Sequence, residues 1–204
     1  MHSKGIQTRQ MIIDKAMILF TKNGYNRTSL SKILSETGLA KGGFYFHFRS
    51  KEELGLAVIQ SLEKCWTDEI IPQIKKGANA REKLEALFSA PGDCTCSSQT
   101  MRPIILLMNL AIEMLETNGT FSSQLQKIFE GWLSMLKAIV EEGKYEALFE
   151  KQIDSSSVAA IILSNILGAN LLALLNGNSG LYQEHLTALK TILFKGISKD
   201  QPTN

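Results

Sequence analysis

The sequence predicts an all-α protein of about nine helices, and three observations carry that prediction. Apolar residues recur at three- and four-residue intervals nearly throughout. No stretch alternates apolar and polar residues with the period of two that a half-buried strand shows. Capping and helix-stopping residues fall between the periodic segments, where helix ends need them.

The first helix is expected over residues 7–23, with Ile12, Ile13, Ala16, Leu19 and Phe20 on one face and Gly24 as its stop. Thr28 or Ser29 caps a second helix, which carries Leu30, Ile33 and Leu34 and stops at Gly38. A short third helix covers residues 40–46. Ser50-Lys51-Glu52-Glu53 is a capping box, and it opens a long fourth helix toward Lys76 that Pro72 bends or ends. Asn79 and Glu82 cap a helix reaching Ala90, and the Gly-, Ser- and Cys-rich residues 91–98 form a loop. Further helices follow at about 101–117, 121–142, 155–176 and 180–197, separated by Asn118-Gly119, residues 143–154 and Asn176-Gly177-Asn178.

The chain has 204 residues and a formal net charge of +2, which conceals a split. Residues 1–50 hold 8 Lys and Arg against 2 Asp and Glu, a net of +6, and the remainder carries −4. A basic head on an acidic body points to an anionic partner for the head. With 44% hydrophobic residues and 4 prolines the chain is no disordered polymer. Its 3 cysteines, an odd number, argue against a disulfide scaffold and for a reducing cytoplasm. The N-terminus lacks the apolar run of a secretory signal. Residues 158–175 are uncharged and reach the lower limit for crossing a bilayer, but Ser164, Asn165 and Asn170 interrupt them and no basic cluster flanks them. Burial in a core or subunit interface explains the same pattern without a membrane.

Residues 28–54 (TSLSKILSETGLAKGGFYFHFRSKEEL) are the most informative. Two short helices meet at Glu36-Thr37-Gly38-Leu39, a corner suited to a helix–turn–helix, whose second helix enters the DNA major groove. Lys41 can reach a guanine edge or a phosphate, and Gly42 and Gly43 allow close backbone approach. Tyr45 and His47 offer phosphate donors. Lys51 and the start of the fourth helix form a further phosphate site, as do Thr28 and Ser29 at the start of the second. The paired glycines weaken the recognition helix by about 1 kcal/mol each, so packing must hold it, with Phe44, Phe46 and Phe48 as its expected core anchors.

Gly24-Tyr25, Thr28, Ile33-Leu34, Gly38-Leu39, Lys41-Gly42, Phe44-Tyr45, His47-Phe48 and Lys51-Glu52-Glu53-Leu54 resemble the signature of the TetR family of bacterial transcriptional regulators. The resemblance covers residues 8–54. It implies an N-terminal three-helix helix–turn–helix domain, residues 1–50, and a larger helical effector-binding and dimerisation domain, residues 51–204. It also implies a homodimer on a palindromic DNA operator, acting as a repressor released by a small-molecule effector. The family's contacts carry over onto Thr28, Lys41, Gly42, Tyr45, His47 and Lys51. Ala40 departs from the Ser or Thr that commonly caps the recognition helix, at a cost of ~1 kcal/mol.

In the body, the helices at about 155–176 and 180–197 are expected to pair with those of a second copy. Leu181, Leu186, Leu189, Ile192, Leu193 and Phe194 add apolar surface, and Ala159, Ala160, Gly168 and Ala169 let helices approach closely. Trp66, Ile70, Met101, Met108, Met114, Phe129, Trp132, Leu133 and Leu136 are apolar candidates for an effector pocket. Asn109 and Glu113 share a helix face within the apolar PIILLMNLAIEML, and they orient a ligand or make inter-helix hydrogen bonds. Cys94 and Cys96 raise a thiol-sensor alternative, but no cation stands nearby to activate them and Asp93 opposes ionisation. His2, His47 and His185 are too scattered to complete a metal site, so no metal, cofactor or catalytic residue is expected. A helical-bundle enzyme would need an activated nucleophile or clustered acid–base residues, which the sequence lacks.

Overall fold

The computed structural model describes residues 2–91, 103–114 and 119–198. Ten helices occur among them: α1 (His2–Asn23), α2 (Leu30–Thr37), α3 (Lys41–His47), α4 (Lys51–Glu69), α5 (Ile71–Lys75), α6 (Ala80–Ser89), α7 (Pro103–Met114), α8 (Gly119–Tyr145), α9 (Ser155–Leu175) and α10 (Gly180–Ile197). No strand occurs among these residues. Phe149 and Ser198 form an isolated antiparallel bridge.

The tenth helix arises where Pro72 was expected to act. The chain breaks at Ile70, and α5 restarts with the proline in its first turn, where its missing N–H is harmless. At the N-terminus, α1 begins five residues earlier than expected. Lys4 and Ile6 in that first turn are exposed, so no apolar periodicity marks it. Asn79 caps α6 by accepting from the Glu82 N–H at 2.9 Å. Asp154 caps α9, accepting from the Ser157 N–H at 2.9 Å and its hydroxyl at 2.6 Å, which holds the Asp154 carboxyl below its usual range.

Two compact units emerge. The first is Met1–Cys65 with Thr95–Lys127; the second is Trp66–Cys94 with Ile128–Asn204. This division differs from a cut at residue 50, because the first unit draws α7 and the start of α8 to the head.

In the first unit, Ile12, Ile13, Ala16, Leu19 and Phe20 of α1 are all buried, as their spacing implies. Phe20 meets Tyr25 edge to face at 5.1 Å between centroids, and Tyr25 meets Phe121 of α8 at 5.0 Å. Gly55 lets α4 in close: a Cβ there would stand 2.8 Å from the Tyr25 ring and 2.5 Å from Phe121.

In the second unit, α10 packs on α9 and α6. Phe88 of α6 and Phe149 lie 6.3 and 6.4 Å from Phe194 of α10, centroid to centroid. α9 is long and apolar enough to cross a membrane by length and composition, with 44% of its apolar window buried within the protein. The opposite side of α9 leaves Ile161, Leu171, Leu172, Leu174 and Leu175 exposed, and α10 adds Ile192.

Candidate nucleic-acid interface

The corner between α2 and α3 forms as the sequence requires. Ser29, rather than Thr28, caps α2, its hydroxyl accepting from the Lys32 N–H at 3.2 Å. Gly38 ends α2 at φ +68°, a left-handed conformation that residues with a Cβ rarely adopt. Ala40 then precedes α3 with no side-chain cap, so packing holds the short helix.

Phe44 and Phe48, one turn apart, supply that packing: both are buried, with ring centroids 5.8 Å apart, and the Arg9 guanidinium lies 4.7 Å from the Phe48 ring. Phe46 does not. It is 82% exposed, which corrects its expected place in the core. The reason is helical geometry: two residues on from Phe44 is about 200° around the axis, so one helix cannot bury both.

Lys41 and Gly42 are exposed on α3, Tyr45 is 46% exposed, and Gly43 and His47 are half-buried. Lys41 Nζ lies 6.0 Å from the Tyr45 ring centroid, so cation and phenol share one flank. Ser29 is exposed at the start of α2. These positions place a cation, a phenol and uncovered backbone on the outside of a helix whose other side is core.

Thr28 and Lys51 are placed otherwise. Thr28 is 1% exposed, and its hydroxyl donates to the Gly24 carbonyl at 2.7 Å, so it braces the turn after α1. Lys51 Nζ donates to the Tyr25 carbonyl at 2.8 Å and stands 4.2 Å from the Tyr25 ring centroid. Partial burial lowers the Lys51 pKa, while Glu113 pulls it back up. Burial pushes the Tyr25 phenol up to about 12, and Glu52 adds to the shift. The capping box forms with a small change of partner. Ser50 accepts from the Glu53 N–H at 3.0 Å, and the Glu53 carboxylate takes the Arg49 N–H at 2.7 Å.

The sequence did not reveal what Glu113 does. From α7 its carboxylate accepts the N–H groups of Tyr25 and Asn26 at 3.2 and 2.9 Å. Gly24, at φ +79°, makes room, since a Cβ there would lie 3.1 Å from the Glu113 carboxyl carbon. Of the two readings of Glu113, the inter-helix hydrogen bond is the one formed. A carboxylate inside an otherwise apolar helix was the available signal; its distant partner was not.

Asn109 and Glu113 do line one cleft, of about 420 Å³, with Lys22, Asn23, Gly24, Asn26 and Arg27. Met108, beside them on α7, is half-buried. In the second unit the structure gathers Trp66, Phe129 and Trp132. The two indoles lie 4.8 Å apart and Phe129 meets Trp132 edge to face at 5.3 Å. Trp66 Nε1 is buried and has no hydrogen-bond partner among the described residues. Ile70 and Leu136 are core, as is Met114 in the first unit, and Met101 lies outside the described residues. Cys65 of α4 is disulfide-bonded, which departs from the expectation of reduced thiols. Cys94 and Cys96 lie outside the described residues.

Residues 12–58 match the family described as bacterial regulatory proteins, tetR family. Residues 80–189, more than half of the chain, match the tetracyclin repressor-like C-terminal domain. The fatty acid metabolism regulator protein of Bacillus subtilis (strain 168) is 24% identical over 76% of this chain and 77% of its own. An HTH-type transcriptional regulator in the lacX 3′ region of Lactococcus lactis subsp. lactis is 28% identical over 90% of this chain and 92% of its own. A TetR transcriptional regulator from Chloroflexus aurantiacus J-10-FL superimposes with a TM-score of 0.82 at 25% identity, covering 97% of this chain and 100% of that one. Both ends of the protein, the DNA-reading corner and the helical body, therefore point the same way: the chain belongs to the TetR family and is a DNA-binding transcriptional regulator.

Proposed function

We propose that the protein is a cytoplasmic homodimeric repressor that binds a palindromic operator through α3 and is released by a small effector. The observation that carries this reading is the outward face of α3, with Lys41, Gly42 and Tyr45 exposed on a head of net charge +6. Gly43, His47 and Ser29 complete the contact surface, while Thr28 and Lys51 support it from within. The reading assigns a regulatory role and no catalytic one.

The dimer face is the exposed side of α9 and α10. Leu175 is 73% and Ile192 70% exposed, and a Cβ added at Gly168 would meet none of the described residues within 4 Å. A second copy of this face would bury the apolar surface as a four-helix bundle, without a membrane. For the effector, the stacked Trp66, Trp132 and Phe129 suit an apolar or aromatic molecule, and the unpartnered indole N–H suits an acceptor on it. Release follows if the effector favours a placement of α7 in which Glu113 no longer holds the Tyr25 and Asn26 N–H groups.

Fluorescence anisotropy with duplexes selected from a randomised library tests the reading. Affinity should depend on sequence and fall steeply with salt, by a log–log slope of about 0.9 for each phosphate contacted. Binding indifferent to both sequence and salt discards it.

A further inference from the structure

We propose that Phe46 is a specificity-determining residue of the recognition helix, reading the 5-methyl group of a thymine in the operator major groove. The inference rests on the operator-binding reading above and goes beyond it, because the contacts implied by resemblance lie at other positions.

Phe46 is 82% exposed, although the phenylalanines two residues to either side are buried. It stands at the middle of the outward face of α3, and Gly42, four residues earlier, shares that face. A Cβ built at Gly42 would meet none of the described residues within 4 Å, so the surface one turn before Phe46 is open backbone. The Phe46 ring is held edge-on to His47, with centroids 5.0 Å apart and planes at 89°. Lys41 and Tyr45 flank the face.

An exposed phenylalanine offers no hydrogen bond and no charge, so it cannot serve a phosphate. In the major groove the apolar group available to it is the thymine methyl, a contact that phenylalanine is suited to make. The surrounding charge also fits duplex DNA: Lys41, Arg27 and Arg49 are exposed on the same basic head, and cations there would bring the ring into the groove. Gly42 lets the helix sink until the ring reaches the base edges. A side chain at that position would hold Phe46 away from them.

The test uses the full-length protein and an operator selected from a randomised duplex library. The selected duplex is remade with deoxyuridine in place of thymidine, which removes the methyl and leaves pairing unchanged. Wild-type affinity should fall by about tenfold on the uracil duplex. Phe46→Ala should bind the thymine duplex about as weakly, show no preference between the two, and keep the wild-type salt slope and thermal stability. Phe46→Leu should recover part of the preference, being apolar but smaller. Equal wild-type affinity for both duplexes overturns the inference, as does an undiminished preference in Phe46→Ala. A library from which nothing is enriched overturns the operator reading and this inference with it. An enriched operator indifferent to the methyl overturns this inference alone.

Discussion

Thr28 and Lys51, beside the turn that joins α1 to α2, direct their polar groups inward, whereas Lys41 and Tyr45 on α3 direct theirs to solvent. The residue types are the same: a hydroxyl and a lysine in each place. At the turn, Gly24, Tyr25 and Asn26 leave backbone groups that no helix satisfies, and Thr28, Lys51 and Glu113 satisfy them at 2.7, 2.8 and 2.9 Å. On α3 the backbone bonds are helical and the core face is filled by Phe44, so the remaining side chains are free to face a ligand. Whether a polar residue in this head serves the fold or the operator is thus decided by unsatisfied backbone nearby, not by its chemical type.

The strongest way to break that contrast is Gly24→Ala. It forces a Cβ into a left-handed conformation and against the Glu113 carboxylate. The expected loss is about 2–4 kcal/mol of unfolding free energy, from the dihedral cost and the displaced charge-assisted hydrogen bonds. Urea titration measures it. A loss below about 0.5 kcal/mol, the usual range of a surface substitution, shows that the turn does not act as a strut between α1 and α7.

Two lysine substitutions sharpen the contrast next. Lys51→Met should lower stability by about 1–2 kcal/mol, having removed a charged donor from a carbonyl and from an aromatic face. Lys41→Ala should leave stability within about 0.5 kcal/mol and weaken operator binding. If Lys41 meets a phosphate, the substitution also makes the log–log salt dependence shallower by about 0.9. The reverse pattern, with Lys51→Met stable and binding DNA with a shallower salt slope, would restore Lys51 as a phosphate contact.

Much of this was legible in the sequence, for reasons that also mark the limits. The starts of α2 and α6 follow from local capping chemistry at Ser29 and Asn79, which needs no knowledge of the tertiary fold. The face of α1 follows from spacing. Phe46 was legible in principle: Phe44 and Phe48 are one turn apart, and a residue between them must point away. Lys51 and Glu113 were not legible in the same way. Their partners are the backbone of Tyr25 and Asn26, up to 88 residues away, and no local pattern encodes which carbonyl or N–H a long side chain will find, whereas Thr28 bonds the Gly24 carbonyl only four residues back.

An effect confined to high pH tests the turn through Tyr25 alone. Burial among Phe20, Phe121 and α4 favours the neutral phenol, raising its pKa from 10.0 to about 12. The folded protein therefore keeps a proton that the unfolded chain releases above pH 10. This contribution to stability is fully present below pH 10 and is lost as pH rises toward 12. The loss amounts to about 1–2 kcal/mol once solvent screening is allowed for. Tyr25→Phe cannot ionise there, so the difference between wild type and variant reports the phenol and the Lys51 ammonium against its ring. Unfolding free energies at pH 8, 10 and 11 should show the variant gaining on the wild type only above pH 10. A constant difference across that range means that the phenol is solvated in the folded protein, and that Lys51 and Glu113 hold a looser turn than their distances imply.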